Sequence, residues 1–114
     1  MLQLIFALQN LLYKKIQVAP KYLFLMSVTN DSMYPTLKND SIIMIRRTQN
    51  FIDDGIYIFQ LNAQVMIKRL QLIKSDFNVI SDNSSYKPWI LTKEDLKDED
   101  LVIIGKVVWS EQCI

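Results

Sequence analysis

The feature that most constrains the fold of this chain is a series of short apolar runs separated by polar turns. Valine, isoleucine and aromatic residues dominate the runs, as is typical of half-buried strands. The runs cover residues 22–28, 41–45, 56–61, 64–73, 77–81 and 101–109. No long helical pattern lies between them, so the sequence predicts a mostly β domain with antiparallel sheets that form a partial barrel.

The first eighteen residues carry a different pattern. Their apolar residues fall at helical spacing: Met1, Leu4, Leu8, Leu11 and Leu12. Polar residues interrupt this run, which is shorter than the ~20 apolar residues that a membrane span needs. We therefore predict an amphipathic helix or a linker remnant over 1–18, no membrane anchor, and a single β domain over 19–114.

The composition excludes several kinds of site. The 114 residues include no histidine and one cysteine, Cys113, so a Ser-His-Asp triad, a Cys-His pair and a structural zinc site are ruled out. We expect no metal and no cofactor, because the two glycines do not form a phosphate-binding loop either. A lone cysteine cannot form an intrachain disulfide, which fits a reducing compartment such as the cytoplasm.

The charge of the chain is nearly balanced. The formal net charge is +1, and the basic residues are scattered along the sequence. Domains that bind nucleic acid through phosphates usually carry a basic face or stripe. We therefore expect these residues not to grip DNA by themselves.

One serine and one lysine stand out as candidates for chemistry. Ser32 lies in the polar turn NDSMYPTLKND, and without histidine its hydroxyl would need another base. A lysine can serve only when neutral, and an exposed lysine has a pKa of ~10.4, which burial can lower by several units. Lys68 is the best candidate, because strand alternation in QVMIKRLQLI places it between Met66 and Leu70. Taken alone, Ser32 could equally be a turn former and Lys68 an exposed edge-strand residue.

Taken together, the motifs resemble a known family. The segments NDSMYPTLKNDSIIMI, DGIYIFQLNAQVMIKRL, VISDNSSY and IIGKVVW, between about Ala19 and Trp109, resemble the LexA and phage-repressor peptidases. The resemblance maps the family nucleophile onto Ser32 in DSMYPTL and its general base onto Lys68 in IKRL. The Ser-Met-x-Pro element is also similar to type I signal peptidases, which share this Ser-Lys core.

The resemblance implies a mechanism and a set of partners. A neutral Lys68 would take the proton of Ser32, and the backbone N–H of Ser32, with Asp31 or Met33, would hold the oxyanion. Family members usually cut their own chain at an Ala-Gly or Cys-Gly bond, often on contact with a RecA filament. They dimerise through this domain and bind DNA through an N-terminal helix-turn-helix domain, which we expect to lie outside these residues.

The sequence departs from the family pattern at several positions. Asn30 stands where the family has glycine before Asp-Ser, and Asn39-Asp40 replaces a later Gly-Asp. Met66 occupies a position where some members carry a threonine whose hydroxyl can contact the lysine amine. The chain contains no Ala-Gly or Cys-Gly bond. These departures leave the fold prediction intact and bear on the efficiency of catalysis.

Several functions remain open at this point. The first is the C-terminal autoproteolytic and dimerisation domain of a phage-type or LexA-like transcriptional repressor. The second is a mutagenesis accessory protein of the UmuD kind, whose partner would be a translesion polymerase. The third is a non-catalytic dimerisation module of the same fold. A signal peptidase is the least favoured, because it would need a membrane anchor.

Overall fold

The computed structural model describes residues 19–111. The helix predicted over 1–18 and Cys113 lie outside the described residues. The strands are β1 (Leu23–Ser27), β2 (Ile42–Arg47), β3 (Gly55–Leu61), β4 (Gln64–Ile73), β5 (Asp76–Ile80), β6 (Trp89–Leu91) and β7 (Leu101–Ser110). A short 3-10 helix, Pro20–Tyr22, precedes β1, and a single helical turn, α1 (Asp95–Asp98), precedes β7.

The described strands form one antiparallel sheet. Its strand order is β1-β2-β7-β3-β4-β5-β6. The mostly β, antiparallel prediction is therefore confirmed. The sheet is not closed into a barrel, because β1 and β6 lie at opposite ends of this order and do not pair with each other.

At the centre of the sheet, the pairing of β7 with each of its two neighbours is irregular. The register shifts between Met44 and Ile45 on one side of β7 and between Ile58 and Phe59 on the other. Such bulges bend a strand and increase its local twist. Gly105 lies in this region, and a Cβ there would be 2.4 Å from Ile45 Cγ2 and 2.8 Å from the Arg46 carbonyl oxygen. Only glycine allows the two backbones to approach this closely.

Apolar side chains from both faces of β3 build two core clusters. The first contains Val28, Met33, Leu37, Ile43, Ile45, Ile56, Ile58 and Ile67. The second contains Tyr57, Phe59, Leu61, Leu70, Val79, Leu91 and Ile103. Odd and even residues of β3 belong to different clusters, because successive side chains of a strand point to opposite faces. The first cluster fixes the turn that carries Ser32, and the second supports the far half of β4.

Candidate active site

Ser32 is held in a turn that is anchored in the first core cluster. Met33 is fully buried and Leu37 is 2% exposed, and the Leu37 N–H donates to the Met33 carbonyl at 2.8 Å. The neighbouring side chains of Asp31 and Tyr34 are exposed, whereas Ser32 is only 3% exposed. The buried side chains of Met33 and Leu37 therefore hold this serine against β4.

The Ser32 hydroxyl already has a hydrogen-bond acceptor. Its Oγ donates to Asn30 Oδ1 at 2.8 Å, and the Ser32 backbone N–H donates to the same oxygen at 3.0 Å. The carbonyl oxygen of Ile67, one residue before Lys68, lies 3.4 Å from Ser32 Oγ. A hydroxyl has one proton to donate, and the shorter contact places it on Asn30. Side-chain and backbone donors of Ser32 are thus both directed at one amide oxygen.

Lys68 lies half-buried on β4, beside the Ser32 turn. Its Nζ donates to Ser81 Oγ at 2.8 Å and lies 4.9 Å from the centroid of the Tyr86 ring. Burial lowers the pKa of the Lys68 amine from its ordinary value, because a partly desolvated ammonium is disfavoured. The direction is the one a lysine base requires.

The loop after β5 ties the serine turn to this part of the sheet. The Asn83 N–H donates to the Ser32 carbonyl, and Asn83 Nδ2 donates to the Asp31 carbonyl, both at 3.0 Å. The Tyr86 hydroxyl donates to Asp31 Oδ1 at 2.5 Å, and this hydrogen bond raises the pKa of Tyr86. The loop therefore fixes the backbone on both sides of the candidate nucleophile.

An ion pair on the other face of β4 strengthens the same connection. Arg69 Nη2 and Nε donate to the Asp82 carboxylate at 2.7 and 2.9 Å, and Thr36 donates to it at 2.5 Å. The hydrogen bond from Arg69 is the main reason that the pKa of Asp82 is lowered, and the same bond raises the pKa of Arg69. These contacts join the serine turn, β4 and the loop.

A cavity brings the two candidate residues together. Its volume is about 310 Å³, and Ser32, Lys68, Asn30, Tyr86 and residues 64–67 line it. A smaller, mostly apolar pocket of about 60 Å³ adjoins it between residues 26–30 and 65–67. In residues 19–111 no hydrogen bond joins Ser32 directly to Lys68. Ser32 Oγ donates to Asn30, and Lys68 Nζ donates to Ser81.

Within the part of the chain that the structure describes, one edge of β4 has no neighbouring strand beside this cavity. Residues 64–70 pair with β3 on one side, whereas β5 pairs only with residues 69–73 on the other. Among residues 19–111, no strand pairs with the stretch 64–68 on its second edge, where the Ile67 carbonyl lies 3.4 Å from Ser32 Oγ. An open edge of this kind can add an extended peptide by main-chain hydrogen bonds.

Sequence reasoning missed three side chains of this site. Asn30 stands out in the sequence only as a replacement for glycine, and the motifs alone do not distinguish Ser81 or Tyr86. The hairpin register gave a usable signal for Ser81. The pairing of Arg69 with Ile80 sets the next residue of the loop opposite Lys68. No comparable signal existed for Asn30, whose contact depends on how the turn closes.

Two further findings concern metal binding and membrane-spanning helices. Within residues 19–111, no group of three or more His, Cys, Asp or Glu side chains could hold a metal ion. In the same stretch, no helix has the length and apolar character needed to cross a membrane.

Comparison with known proteins identifies the family to which the chain belongs. A family model described as Peptidase S24-like matches residues 5–108, nearly the whole chain. The chain therefore belongs to the Peptidase S24-like family, which confirms the resemblance drawn from its motifs. At the level of the family, this membership supports a serine peptidase.

Two relatives show the kind of protein in which such a domain occurs. The chain is 37% identical over 83 residues to a 26 kDa repressor protein of Escherichia phage HK022, covering 72% of this chain and 34% of that protein. It is 34% identical over 80 residues to an uncharacterized HTH-type transcriptional regulator of Haemophilus influenzae (strain ATCC 51907 / DSM 11121 / KW20 / Rd), covering 68% and 33%. The chain thus spans about a third of the length of these relatives.

Proposed function

We propose that this chain is the autoproteolytic and dimerisation part of a LexA-like or phage-type transcriptional repressor, with Ser32 as nucleophile and Lys68 as general base. The observation that carries the proposal is the shared cavity, in which a buried serine and a partly desolvated lysine lie on two elements joined by one loop. The family and the two relatives support the repressor context.

The proposed reaction begins with a neutral Lys68. Ser32 Oγ turns from Asn30 toward the amine, gives its proton to Nζ and attacks a peptide carbonyl. The ammonium then returns that proton to the leaving amine, which breaks the peptide bond and leaves an acyl-serine. Water attacks this ester, with Lys68 again accepting a proton, and releases the acid product and the free serine.

The oxyanion would be held by backbone N–H groups of the serine turn. We predicted the N–H groups of Ser32, Asp31 and Met33 for this role, each donor being worth ~2.7–4 kcal/mol in comparable sites. The Ser32 N–H donates to Asn30 Oδ1 in the resting structure. Rotation of the Asn30 amide would release the Ser32 hydroxyl and the Ser32 N–H together.

The substrate would bind as an extended strand. The open edge at 64–68 offers main-chain partners, and the neighbouring 60 Å³ pocket accepts only a small apolar side chain. An Ala-Gly bond suits this size. The physiological target would be a linker bond outside these residues, cut in the cytoplasm on contact with a RecA filament, with DNA bound by another part of the repressor.

A second candidate function has one observation in its favour. Ser32 and Lys68 donate to Asn30 and Ser81 and not to each other. A homodimerisation module that retains the two residues without using them would look the same. The repressor context is common to both candidates, so the chemistry alone separates them. The name of the phage relative favours either of them over an accessory protein of the UmuD kind.

The test is cleavage of an apolar peptide that carries one Ala-Gly bond. The products are followed by mass spectrometry from about pH 7 to 10, and we expect a rate that rises with pH and levels off above the lowered pKa of Lys68. Ser32→Ala and Lys68→Ala should abolish cleavage, whereas Lys93→Ala, which changes an exposed lysine away from the cavity, should not. A fluorophosphonate, whose fluoride is displaced by the serine oxygen, reports Ser32 reactivity without peptide binding. If the folded chain neither cleaves the peptide nor reacts with the fluorophosphonate, the non-catalytic dimerisation module is the function that remains.

A further inference from the structure

Ser81 is a buried hydroxyl at the start of a loop whose later residues are exposed. It directly follows β5 and is 8% exposed, whereas Ser84 and Ser85, a few residues further on, are exposed. Burying a hydroxyl costs free energy unless it finds a hydrogen-bond partner. The partner here is the amine of Lys68.

The register of the sheet sets this partnership. The last pair between β4 and β5 is Arg69 with Ile80, so one further step places Ser81 across from Lys68. Residues facing each other across two antiparallel strands have Cβ atoms ~4.5–5.5 Å apart, within reach of a lysine amine and a serine hydroxyl. The observed distance from Nζ to Oγ is 2.8 Å. The contact thus follows from backbone pairing as well as from side-chain rotamers.

The chemistry of a hydroxyl suits a base that must change its charge. A serine oxygen accepts a hydrogen bond from an ammonium, and its O–H can donate to the lone pair of a neutral amine. A carboxylate would instead favour the ammonium and raise the pKa of the lysine. Ser81 can therefore hold Lys68 in either protonation state without fixing its charge.

The other neighbours of the amine offer no equivalent contact. Tyr86 presents its ring to Nζ, with its hydroxyl bound to Asp31, and Met66 has no hydroxyl. Within residues 19–111, Ser81 is the hydrogen-bond partner of Lys68 Nζ. Without it, the amine would be free to swing along the open cavity.

We propose that Ser81 is a positioning residue for the reaction: its hydroxyl fixes the Lys68 amine at the wall of the cavity that contains Ser32. The inference rests on the proposed function, since positioning has an effect on rate only if Lys68 acts as base. In residues 19–111 no hydrogen bond joins Ser81 to Ser32. The effect of Ser81 passes entirely through the lysine.

The test compares one loss of the hydroxyl with two ways of restoring it. Ser81→Ala removes the contact, Ser81→Thr keeps a hydroxyl in place, and Ser81→Ala combined with Met66→Thr supplies one from the same face of β4. Ser41→Ala is the matched control, because Ser41 is also buried, at 6% exposure, and donates to the Lys38 carbonyl away from the cavity. Thermal unfolding of every variant is measured beside kcat/KM on the Ala-Gly peptide.

We expect Ser81→Ala to lower kcat/KM by roughly 10- to 100-fold, a part of the ~10²–10⁴-fold that a positioned base supplies. Ser81→Thr and the double variant should each recover most of this loss, and Ser41→Ala should cleave at the wild-type rate. Equal cleavage by wild type and Ser81→Ala would overturn the role of Ser81 and leave the proposed function standing. A loss that neither hydroxyl restores would show a structural role and overturn it too. A wild-type chain without cleavage would overturn the proposed function and, with it, this inference.

Discussion

Lys68 and Arg69 are adjacent cations on β4, yet the structure treats them in opposite ways. Each meets a residue at the start of the same loop: Lys68 donates to the Ser81 hydroxyl, and Arg69 donates to the Asp82 carboxylate. Burial lowers the pKa of Lys68, whereas the hydrogen bond that Arg69 donates to Asp82 raises the pKa of Arg69. A neutral partner leaves a cation able to lose its proton, and an anionic partner keeps it charged.

The two faces of β4 therefore surround their cations differently. On the Arg69 face, a bidentate ion pair supported by Thr36 closes the loop onto the strand. On the Lys68 face, the polar groups line an open cavity. Two consecutive loop residues thus supply an anionic partner on one face, Asp82, and a neutral partner on the other, Ser81.

The strongest test of this comparison is to give Lys68 an anionic partner, like the one that Arg69 has. Ser81→Asp places a carboxylate against the amine, and an opposite charge within ~4–6 Å shifts a pKa by ~1–3 units toward the charged form. Cleavage near neutral pH should fall by roughly 10- to 1,000-fold, following the loss of neutral lysine. The rate should recover at higher pH, because the plateau moves up with the pKa of Lys68.

The pH–rate profile of the Ala-Gly peptide checks that prediction. Ser84→Asp is the control, because it adds the same charge at an exposed position of the same loop. If the inflection stays where it is in wild type, the neutrality of Ser81 is irrelevant to Lys68.

Next in size is the removal of the charge on the opposite face. Asp82→Asn weakens the contacts to Arg69 and Thr36, and hydrogen bonds to charged groups are worth ~1.5–3 kcal/mol before solvent screening. Asp82 is 14% exposed and Arg69 39%, so we expect the free energy of unfolding to fall by about 1–2 kcal/mol. Denaturant titration at neutral pH measures this loss.

The pH dependence of that loss follows from the sign of the shift. The folded pKa of Asp82 is lowered, so its contribution is fully present above the unfolded value of ~3.9 and disappears as pH falls through the folded pKa. Wild type and Asp82→Asn should therefore converge only in strong acid. Glu94→Gln serves as control, because its pair with Lys97 is exposed on both sides and should contribute little. Equal losses in the two variants would refute a special role for Asp82.

A smaller effect is expected for the contacts that hold Ser32, the candidate nucleophile. Asn30→Gly removes the acceptor of both the Ser32 hydroxyl and the Ser32 N–H. Neutral hydrogen bonds are worth ~0.5–1.5 kcal/mol, which corresponds to a rate increase of roughly 2- to 12-fold if release of the serine limits the reaction. Asn30→Asp, a stronger acceptor, should slow cleavage.

Rates of fluorophosphonate labelling measure this effect without peptide binding. If both Asn30 variants label more slowly than wild type, the asparagine helps to form the turn more than it restrains the serine.

The sequence predicted the strands better than it predicted the contacts of the two candidate residues. Strand composition and the motifs DSMYPTL and IKRL predicted a turn at Ser32 and a strand at Lys68, and the structure has both. Alternation also predicted the desolvation of Lys68 between apolar neighbours, and its pKa is indeed lowered by burial. The open form of the sheet was not predicted, because strand runs do not reveal whether the edge strands meet.

Contacts between loops were beyond the reach of pattern analysis. Asp31 and Tyr86 are far apart in the chain, yet they form a hydrogen bond, which depends on the path of residues 81–88. Ser81 differs, because extension of one hairpin register would have placed it opposite Lys68. The register of a strand pair predicts which residues face each other. It predicts no contacts for residues that have left the sheet.

Tyr86→Phe gives the smallest expected effect. It tests whether Ser81 is the partner that decides the charge of Lys68, or whether Asp31 contributes through Tyr86. The change removes the hydrogen bond to Asp31 and leaves the ring beside Lys68 Nζ. Because Tyr86 is exposed and Asn83 still holds the Asp31 and Ser32 carbonyls, cleavage should change by less than about fivefold. The inflection of the pH–rate profile should not move, since the surroundings of the amine are unchanged. A shifted inflection in this variant would mean that Asp31, acting through Tyr86, controls the charge of Lys68, and that the two faces of β4 differ less than their direct partners indicate.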